Sequence, residues 1–428
     1  MKKRDLENAP IFNYNTVEDV KKLMYKEVYI GYAILSTYIS LTRNPSPEIT
    51  NESRVYFNHL LEQACKLTDS IYEIIAKNKP DVICVFNGRF LESRPFYDIA
   101  LSLNIRIICN EVIGGSGDND PFRKVYFENC LPHNLGYLGN RVKNLWDNSE
   151  LSLEAKTKIG NSFYQKRKGG IASGDKVFTK NQEKGKLPSD WDDRKKNIVI
   201  FNSSEDEFAA VGREFENYSL FKSQLEGIKY ILSTVKNKDY HFYLRIHPNL
   251  SSVNYSYHTD LLELEKSFDN ITVIKATDSI STYSLMDVAD KVIVFGSTTG
   301  IEATYWGKPS ILLAGAMYYY LNACYIPKTK EEVTELIISN LTIKDNFPAI
   351  QYGYYIMDRE FLSTESIYFD LNTKDYSVLG YKCRQPKYMT LFGSNTFMKI
   401  VNLIGAKIIT RFFKNKIKTP DEIFEENL

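Results

Sequence analysis

Five short apolar runs alternate with helix-like segments in the second half of the chain. The runs cover residues 197–201, 241–246, 271–274, 291–295 and 310–313, and the intervening segments 215–235, 260–268, 281–289 and 300–306 carry apolar residues at three- and four-residue spacing. Runs of this kind indicate buried strands, and the wider spacing indicates helices. Strands that alternate with helices form parallel sheets covered on both faces, so this half predicts a doubly wound α/β domain.

The first half shows a shorter version of the same pattern. Residues 16–43 and 52–78 predict two helices, and they are followed by strand 81–86, helix 95–103 and strand 105–109. A strand, a helix and a strand within about 30 residues are typical of a parallel βαβ unit. Residues 149–194 are rich in Lys, Gly, Ser and Asp. This composition indicates a connection between domains.

Length and composition support two folded domains. The chain has 428 residues, of which 43% are hydrophobic and 25% charged, as in ordinary globular proteins. We expect an N-terminal domain with the connection over 1–194, a C-terminal domain over 195–330 and an extension over 331–428. The predicted fold class is α/β, with two Rossmann-like, doubly wound domains and a helical C-terminal tail.

Charge and cysteine usage narrow the function class. The 54 Lys and Arg against 53 Asp and Glu leave a net charge of +1, so nothing favours a nucleic-acid partner. The six cysteines lack metal-ligand spacing and are expected to be reduced. The first residues lack the apolar stretch of a signal peptide, and the apolar stretch 29–41 is too short to span a membrane. These features predict a cytoplasmic protein.

Polar residues follow the predicted strands of the second half, where ligands bind in open parallel sheets. They are Ser203 and Ser204 after the first strand, Arg245 and His247 around the end of the second, and Ser297, Thr298 and Thr299 after the fourth. Small residues before a helix let a backbone approach a diphosphate, and a guanidinium and an imidazole suit phosphate oxygens. Ser and Thr in this position also cap helices, and His247 could be an ordinary loop histidine.

Glu302 lies one turn into the helix that this Ser-Thr-Thr-Gly loop opens. Acidic residues in nucleotide-binding folds accept hydrogen bonds from ribose hydroxyls, and we expect this role for Glu302. A glutamate that stabilises the helix dipole from the first turn is the alternative.

Several segments together resemble a known family. Residues 288–314 read VADKVIVFGSTTGIEATYWGKPSILLA, which is similar to the donor-binding segment of GT-B glycosyltransferases. The residues from Arg245 to Pro248 resemble the basic-x-His-Pro motif of capsule polysaccharide biosynthesis and Kdo-transferase-like proteins, as do residues 87–95 and 201–208. The likeness covers residues 80–315.

The resemblance implies a GT-B-like fold with the donor in the C-terminal domain, the acceptor largely in the N-terminal domain, no cofactor and no metal. Many retaining GT-B enzymes carry a second glutamate eight positions before the ribose-binding one. Val294 occupies that position here, so the mechanism of that subgroup is not transferred. The chain also opens with helices rather than a strand, which predicts an incomplete or rearranged first sheet.

Glycosyl transfer needs a base or a nucleophile, together with stabilisation of the leaving phosphate. The catalytic candidates are Glu111, Asp118, Asp120 and His247, and the acceptor-binding candidates are Asn87 and Arg89. The Gly-rich stretch 114–120 could equally be a surface loop, and Asn87 and Arg89 could form a plain turn. Asp118-Asn119-Asp120 has the form of a metal-binding DxD, but it lies outside the donor half, so no metal is predicted.

Residues 397–418 combine an apolar stripe with six basic residues and no acidic one. Such a segment predicts a basic amphipathic helix at the inner face of the cell membrane, or a helix packed across the N-terminal domain.

We therefore predict a glycosyltransferase that moves a sugar from a UDP- or CMP-linked donor to a glycan or glycolipid acceptor of capsule or of lipopolysaccharide O-antigen. The alternatives are a non-hydrolysing sugar-nucleotide 2-epimerase, a CDP-polyol phosphotransferase and a non-catalytic scaffold in polysaccharide export.

Overall fold

The computed structural model describes residues 10–113, 123–171, 178–179 and 182–357, together with the backbone of three short strands beyond them. The elements of the first half are α1 Val17–Lys21, α2 Ile30–Thr42, α3 Asn51–Asn78, β1 Val82–Phe86, α4 Arg94–Ser102, β2 Arg106–Ile113, β3 Arg123–Glu128, α5 Leu135–Asn148 and α6 Leu153–Lys168. Those of the second half are β4 Lys196–Phe201, α7 Arg213–Glu216, α8 Gln224–Thr234, β5 Tyr240–Arg245, α9 Ser256–Leu262, β6 Ile271–Ile274, α10 Thr282–Val288, β7 Lys291–Val294, α11 Thr299–Tyr305, β8 Ser310–Leu312, α12 Lys330–Ile338 and α13 Phe347–Met357. The last strands are β9 Ile367–Phe369, β10 Tyr376–Val378 and β11 Tyr381–Cys383.

The second half is built on a five-stranded parallel sheet in the order β6-β5-β4-β7-β8. Phe201 at the end of β4 pairs with Arg245 of β5 and with Val294 of β7, so the carboxyl ends of these strands lie level with one another. Successive residues of β4 face opposite sides: Val199 belongs to one buried cluster and Ile200 to another. Helices cover both faces, which confirms the doubly wound α/β prediction.

The first half contains a smaller, mixed sheet. β1 and β2 are parallel, as predicted, whereas β3 runs antiparallel to β2 and was not predicted. The helices α2, α3 and α4 share one hydrophobic cluster with the inward residues of these strands, such as Ile107 and Phe127. The predicted helix 16–43 is two helices, because residues 22–29 turn between α1 and α2. In the described residues this first sheet is therefore short, as the helical opening of the chain suggested.

The connection predicted over 149–194 contains a full helix, α6, which composition did not reveal. This helix crosses α13 at close range, since a Cβ atom on Gly160 would lie 2.4 Å from the carbonyl oxygen of Ile350. Glycine at the crossing allows the two backbones to touch. Part of the predicted extension thus packs against part of the predicted connection, and both belong to the folded body.

The segment after β4 crosses into the first half, and we call residues 205–216 the crossing segment. Ala210, Val211 and Phe215 belong to the hydrophobic cluster of the N-terminal helices. Ser36 Oγ donates to the carbonyl oxygen of Ala210 at 2.7 Å, and Arg89 Nη1 donates to that of Glu207 at 2.8 Å. These contacts hold the first half against the carboxyl ends of β4 and β5.

None of the helices in the described ranges is both long and apolar enough to span a membrane. The tail 397–418 and the Gly-rich stretch 114–120 lie outside the described residues.

Candidate functional site

A cavity of about 600 Å³ opens at the carboxyl ends of β4, β5 and β7, and we call it the strand-end cavity. All the residues that the sequence analysis assigned to donor binding line it: Ser203, Ser204, Arg245, His247, Ser297, Thr298, Thr299 and Glu302. The level register of the strands explains why three separate loops meet there. The N-terminal half supplies a facing wall through Pro132, His133 and α5.

The loop from Gly296 to Gly300 lies tightly against the loop that follows β8. Gly296 has φ +86°, a left-handed conformation that favours glycine. A Cβ atom on Gly300 would lie 2.5 Å from Tyr318 Oη, and this hydroxyl donates to the carbonyl oxygen of Ser297. The two glycines therefore let the hydroxyl residues 297–299 form a compact wall of the cavity.

The hydroxyls of Ser203 and Ser204 hold loops together. Ser203 Oγ donates to the carbonyl oxygen of Phe295 at 2.7 Å, which ties the end of β4 to the end of β7. Ser204 Oγ accepts from Arg43 Nη2 at 3.0 Å and from Asn249 Nδ2 at 3.2 Å. Arg43 also bonds the Asp206 carboxylate at 3.0 Å. A side chain of the first half thereby fixes two loops of the cavity.

His247 is fixed as a hydrogen-bond donor. Its backbone amide donates to Asn202 Oδ1 at 2.7 Å, and its Nδ1 accepts from the amide of Asn249 at 3.2 Å. The neutral imidazole must then carry its proton on Nε2. Burial, with the positive charges of Arg245 and Arg43, lowers the pKa of His247 to about 4. A neutral Nε2–H at physiological pH suits a phosphate oxygen and does not suit a general base.

Arg245 is nearly fully buried, at 2% exposure. Its guanidinium points to the loop after β6, where Nη2 donates to the carbonyl oxygen of Asp278 at 3.0 Å and Nη1 bonds that of Lys275. Burial lowers its pKa. The two outer nitrogens bond backbone carbonyls in this arrangement, whereas Nε is buried and has no hydrogen-bond partner among the described residues. The expected contact of Arg245 with phosphate stays a prediction, and the residue adds a positive charge beside the cavity.

Glu302 takes part in a buried ion pair. Its Oε1 accepts from Arg167 Nε at 3.1 Å and lies 3.0 Å from Arg167 Nη2, and its Oε2 accepts from the Tyr283 hydroxyl. Arg167 Nη2 also donates to Thr298 Oγ1 at 3.2 Å. Both carboxylate oxygens thus have protein partners, and the expected contact of Glu302 with ribose hydroxyls stays a prediction.

The remaining candidates lie elsewhere. Asn87, Arg89 and Glu111 are not among the residues that line the strand-end cavity. Asn87 Nδ2 donates to Glu111 Oε2, and Arg89 holds the crossing segment. Asp118 and Asp120 lie outside the described residues. Across the described part of the chain, no group of three or more His, Cys, Asp or Glu side chains is placed to hold a metal ion.

Among the cavity residues that sequence reasoning missed are His133, Arg167 and Tyr283. Arg167 sits in the basic run 166–168, which was attributed to the connection between domains. His133 is one of only five histidines in the chain, and that rarity was the one available signal.

These observations define an α/β protein with a Rossmann-like sheet and a polar cavity at its strand ends. No protein-family model matches the chain, and no curated protein matches it. Among solved structures, it is similar to the Thermosulfurimonas dismutans KpsC beta Kdo 2,4 transferase, with a TM-score of 0.42 and 11% identity over 64% of this chain and 80% of that one.

Two further solved structures are similar at comparable distance. The Thermosulfurimonas dismutans KpsC beta Kdo 2,7 transferase has a TM-score of 0.39 and 14% identity over 72% of this chain and 85% of that one. The UDP-GlcNAc 2-epimerase from Neisseria meningitidis bound to UDP-GlcNAc has a TM-score of 0.33 and 14% identity, covering 71% and 81%. These names include the family that the sequence resembles and one of its alternatives. At TM-scores below 0.5 they carry no argument about what the cavity does.

Proposed function

We propose that the strand-end cavity binds a UDP- or CMP-linked sugar and that the protein is a GT-B-type glycosyltransferase of surface polysaccharide assembly. The observation that carries this proposal is the convergence of three loops, bearing His247 Nε2–H and the hydroxyl residues 297–299, on one cavity at the carboxyl ends of a parallel sheet. A volume of about 600 Å³ lies within the usual range of small-molecule sites.

In this function the residues stabilise the leaving phosphate group, which is a diphosphate for a UDP-linked donor and a monophosphate for a CMP-linked donor. His247 donates from Nε2, the hydroxyls of Ser297 and Thr298 donate from the loop after β7, and Arg245 adds a buried positive charge. Donors fixed before the reaction stabilise developing charge without having to reorganise. We infer that these groups replace a metal ion at the leaving phosphate. Glu302 acts indirectly, because it holds Arg167 against Thr298.

The acceptor hydroxyl forms the new bond to the anomeric carbon as the bond from that carbon to the phosphate oxygen breaks. The electron pair leaves with the nucleotide, and the hydroxyl proton goes to a base. Glu111, Asp118 and Asp120 remain the sequence candidates for this base. The acceptor in this proposal is a growing or lipid-linked capsule or O-antigen glycan.

Calorimetry with UDP, CMP, CDP and GDP tests the proposal on wild-type protein and two histidine variants. If His247 donates to a charged phosphate, His247→Ala should weaken binding by about 1.5–3 kcal/mol, or roughly 10- to 150-fold. His241 lies at the opposite end of β5, where it contacts Thr272, so His241→Ala is the matched control and should leave binding unchanged. Folded wild-type protein that binds none of the four nucleotides would refute the proposal.

We further propose that residues 397–418 hold the enzyme at the inner face of the cell membrane. The six basic residues of this segment are Lys399, Lys407, Arg411, Lys414, Lys416 and Lys418. Basic side chains near an anionic leaflet contribute about 1 kcal/mol each. An enzyme whose acceptor is carried on a membrane lipid gains from confinement to that surface.

A further inference from the structure

A second cavity, of about 390 Å³, lies between the N-terminal helices and the crossing segment. Its walls carry five aromatic side chains, Tyr29, Tyr32, Tyr97, Phe215 and Tyr218, and we call it the tyrosine cavity. None of the sequence candidates lies in it. Its volume is in the range of small-molecule sites, about 300–1,000 Å³.

The tyrosine cavity adjoins the strand-end cavity, since His133 and Phe215 line both. The two rings meet edge to face, with centroids 5.6 Å apart. His133 Nδ1 is buried and has no hydrogen-bond partner among the described residues. Burial and the nearby charge of Arg89 lower the pKa of His133 to about 3, so the ring is neutral at physiological pH. A neutral ring nitrogen at the junction can accept a hydrogen bond from a ligand.

A buried ion pair makes the walls rigid. Arg94 Nε bonds both oxygens of Asp98, at 2.8 and 2.9 Å, and Asp98 Oδ2 also accepts from the amide of Tyr29 at 2.9 Å. The Arg94 guanidinium lies 5.6, 5.9 and 5.8 Å from the ring centres of Tyr29, Tyr32 and Tyr97. These are distances at which a cation attracts the face of an aromatic ring. The tyrosines are therefore positioned before a ligand arrives.

We propose that the tyrosine cavity is an acceptor subsite that holds a carbohydrate ring, with one hydroxyl of that ring directed to His133 at the junction. The inference rests on the proposed function, because it needs an activated sugar in the strand-end cavity. Sugar rings present C–H groups on their faces and hydroxyls on their edges, and these match aromatic walls interspersed with polar groups. Arg213, Glu214 and Asn134 supply such polar groups along the lining.

The position of the junction favours an acceptor over the donor's own base. Ser203, Ser204 and His247 line the strand-end cavity but not the tyrosine cavity, so a nucleotide held by them occupies the former. A hydroxyl at His133 would then face the nucleotide sugar from the N-terminal side. His133 accepts a hydrogen bond from this hydroxyl and thereby positions it, without taking its proton.

Two leucines of the same helix end provide the test. Leu101 lines the tyrosine cavity and is 39% exposed, whereas Leu103 is 46% exposed and does not line it. Leu101→Trp should fill the cavity, and Leu103→Trp is the matched control. Maltotriose, triacetylchitotriose and trigalacturonate serve as probes in saturation-transfer NMR. We expect at least one of them to bind wild-type protein and the control, and its signal to be lost in Leu101→Trp.

Calorimetry with UDP and CMP on the same proteins separates the outcomes. Unchanged nucleotide affinity in Leu101→Trp, with loss of oligosaccharide binding, supports the subsite. Weaker nucleotide binding in Leu101→Trp would show that the cavity holds part of the donor and would overturn the inference. Wild-type protein that binds nucleotide but none of the three oligosaccharides would also overturn it. Failure of nucleotide binding in wild-type protein would instead refute the proposed function.

A second variant guards against misfolding of Leu101→Trp. Tyr218→Ala removes one aromatic ring from the lining of the cavity without introducing a larger side chain, and Tyr320→Ala removes a neighbouring exposed ring that does not line the cavity. Oligosaccharide binding should weaken in the first variant and persist in the second. Equal binding in both would count against the subsite.

Discussion

Replacing Glu302 by alanine should destabilise the protein strongly, because it would take the carboxylate away from a buried guanidinium. Glu302 is 1% exposed, and the Arg167 side chain is 10% exposed. Their contacts of 3.0 and 3.1 Å join α6 to α11, and the Tyr283 hydroxyl completes the network. Removing one member of a buried ion pair costs about 3–5 kcal/mol, since the remaining charge stays out of water and loses the opposite charge beside it.

An exposed ion pair between α6 and α10 gives the scale for comparison. Lys168 Nζ lies 2.8 Å from Asp287 Oδ1, but these side chains are 32% and 48% exposed. Pairs of this kind contribute about 0–1 kcal/mol. Asp287→Ala should therefore lower the free energy of unfolding by less than about 1 kcal/mol, although this exposed ion pair resembles the buried one in residue type and in the distance between its charges.

Urea unfolding followed by circular dichroism measures both effects. The double variant Glu302→Met, Arg167→Met should recover much of the loss, because two apolar side chains of similar volume leave no unpaired charge. The double-mutant cycle isolates the coupling between the two residues.

The reasoning fails if Glu302→Ala changes the free energy of unfolding no more than Asp287→Ala does. If such a variant also lost nucleotide affinity, the carboxylate would serve the ribose, as the sequence suggested. The protein contacts of Glu302 would then be secondary to ligand binding.

Three further predictions concern pH, metal and membrane. The pKa of His247 falls from an ordinary 6.5 to about 4 on folding. Between these pH values the unfolded state binds the proton more readily than the folded state does. The free energy of unfolding should therefore fall as pH drops from about 6.5 to about 4. His247→Gln should flatten this pH dependence, and an identical slope in urea titrations would contradict the assignment. Sugar transfer should persist in EDTA, whereas activity restored by magnesium or manganese would direct attention to Asp118 and Asp120. Full-length protein should float with phosphatidylglycerol vesicles at low salt and less at high salt, and a version ending at Gly393 should not float; equal flotation of both would place the anchor elsewhere.

The sheet of the second half was predictable because its determinants are local. Each strand is a short apolar run between polar loops, and β4, β5 and β7 begin and end within a residue or two of their predicted bounds. Once a parallel sheet is assumed, its carboxyl ends must lie together, so Ser203, His247 and Thr298 could be brought into one site without a structure. All three residues line the strand-end cavity, and their role in donor binding stays a prediction.

Elements stabilised by distant contacts were not predictable in the same way. α6 carries many polar residues and is stabilised by its crossing with α13, nearly 200 residues away along the chain, as in the bond from Tyr164 to the carbonyl oxygen of Ala349. β3 depends on antiparallel pairing with β2. A helix with many solvent-facing polar residues has a composition similar to that of a linker. A polar helix whose packing partner is distant in the sequence is therefore easily taken for a connection between domains.

The same distinction between local and distant determinants applies to the candidate functional residues. The position of a residue relative to a strand end depends on its neighbours in the sequence. The hydrogen bonds and ion pairs of its side chain depend on the residues that the fold places beside it. Glu302 lines the strand-end cavity, yet its partner Arg167 lies 135 residues earlier in the chain. Arg245 also lines it, while the carbonyl groups that it bonds belong to the loop after β6. The sequence thus predicts which residues meet at the strand ends, and distant partners determine the hydrogen bonds that each of them makes.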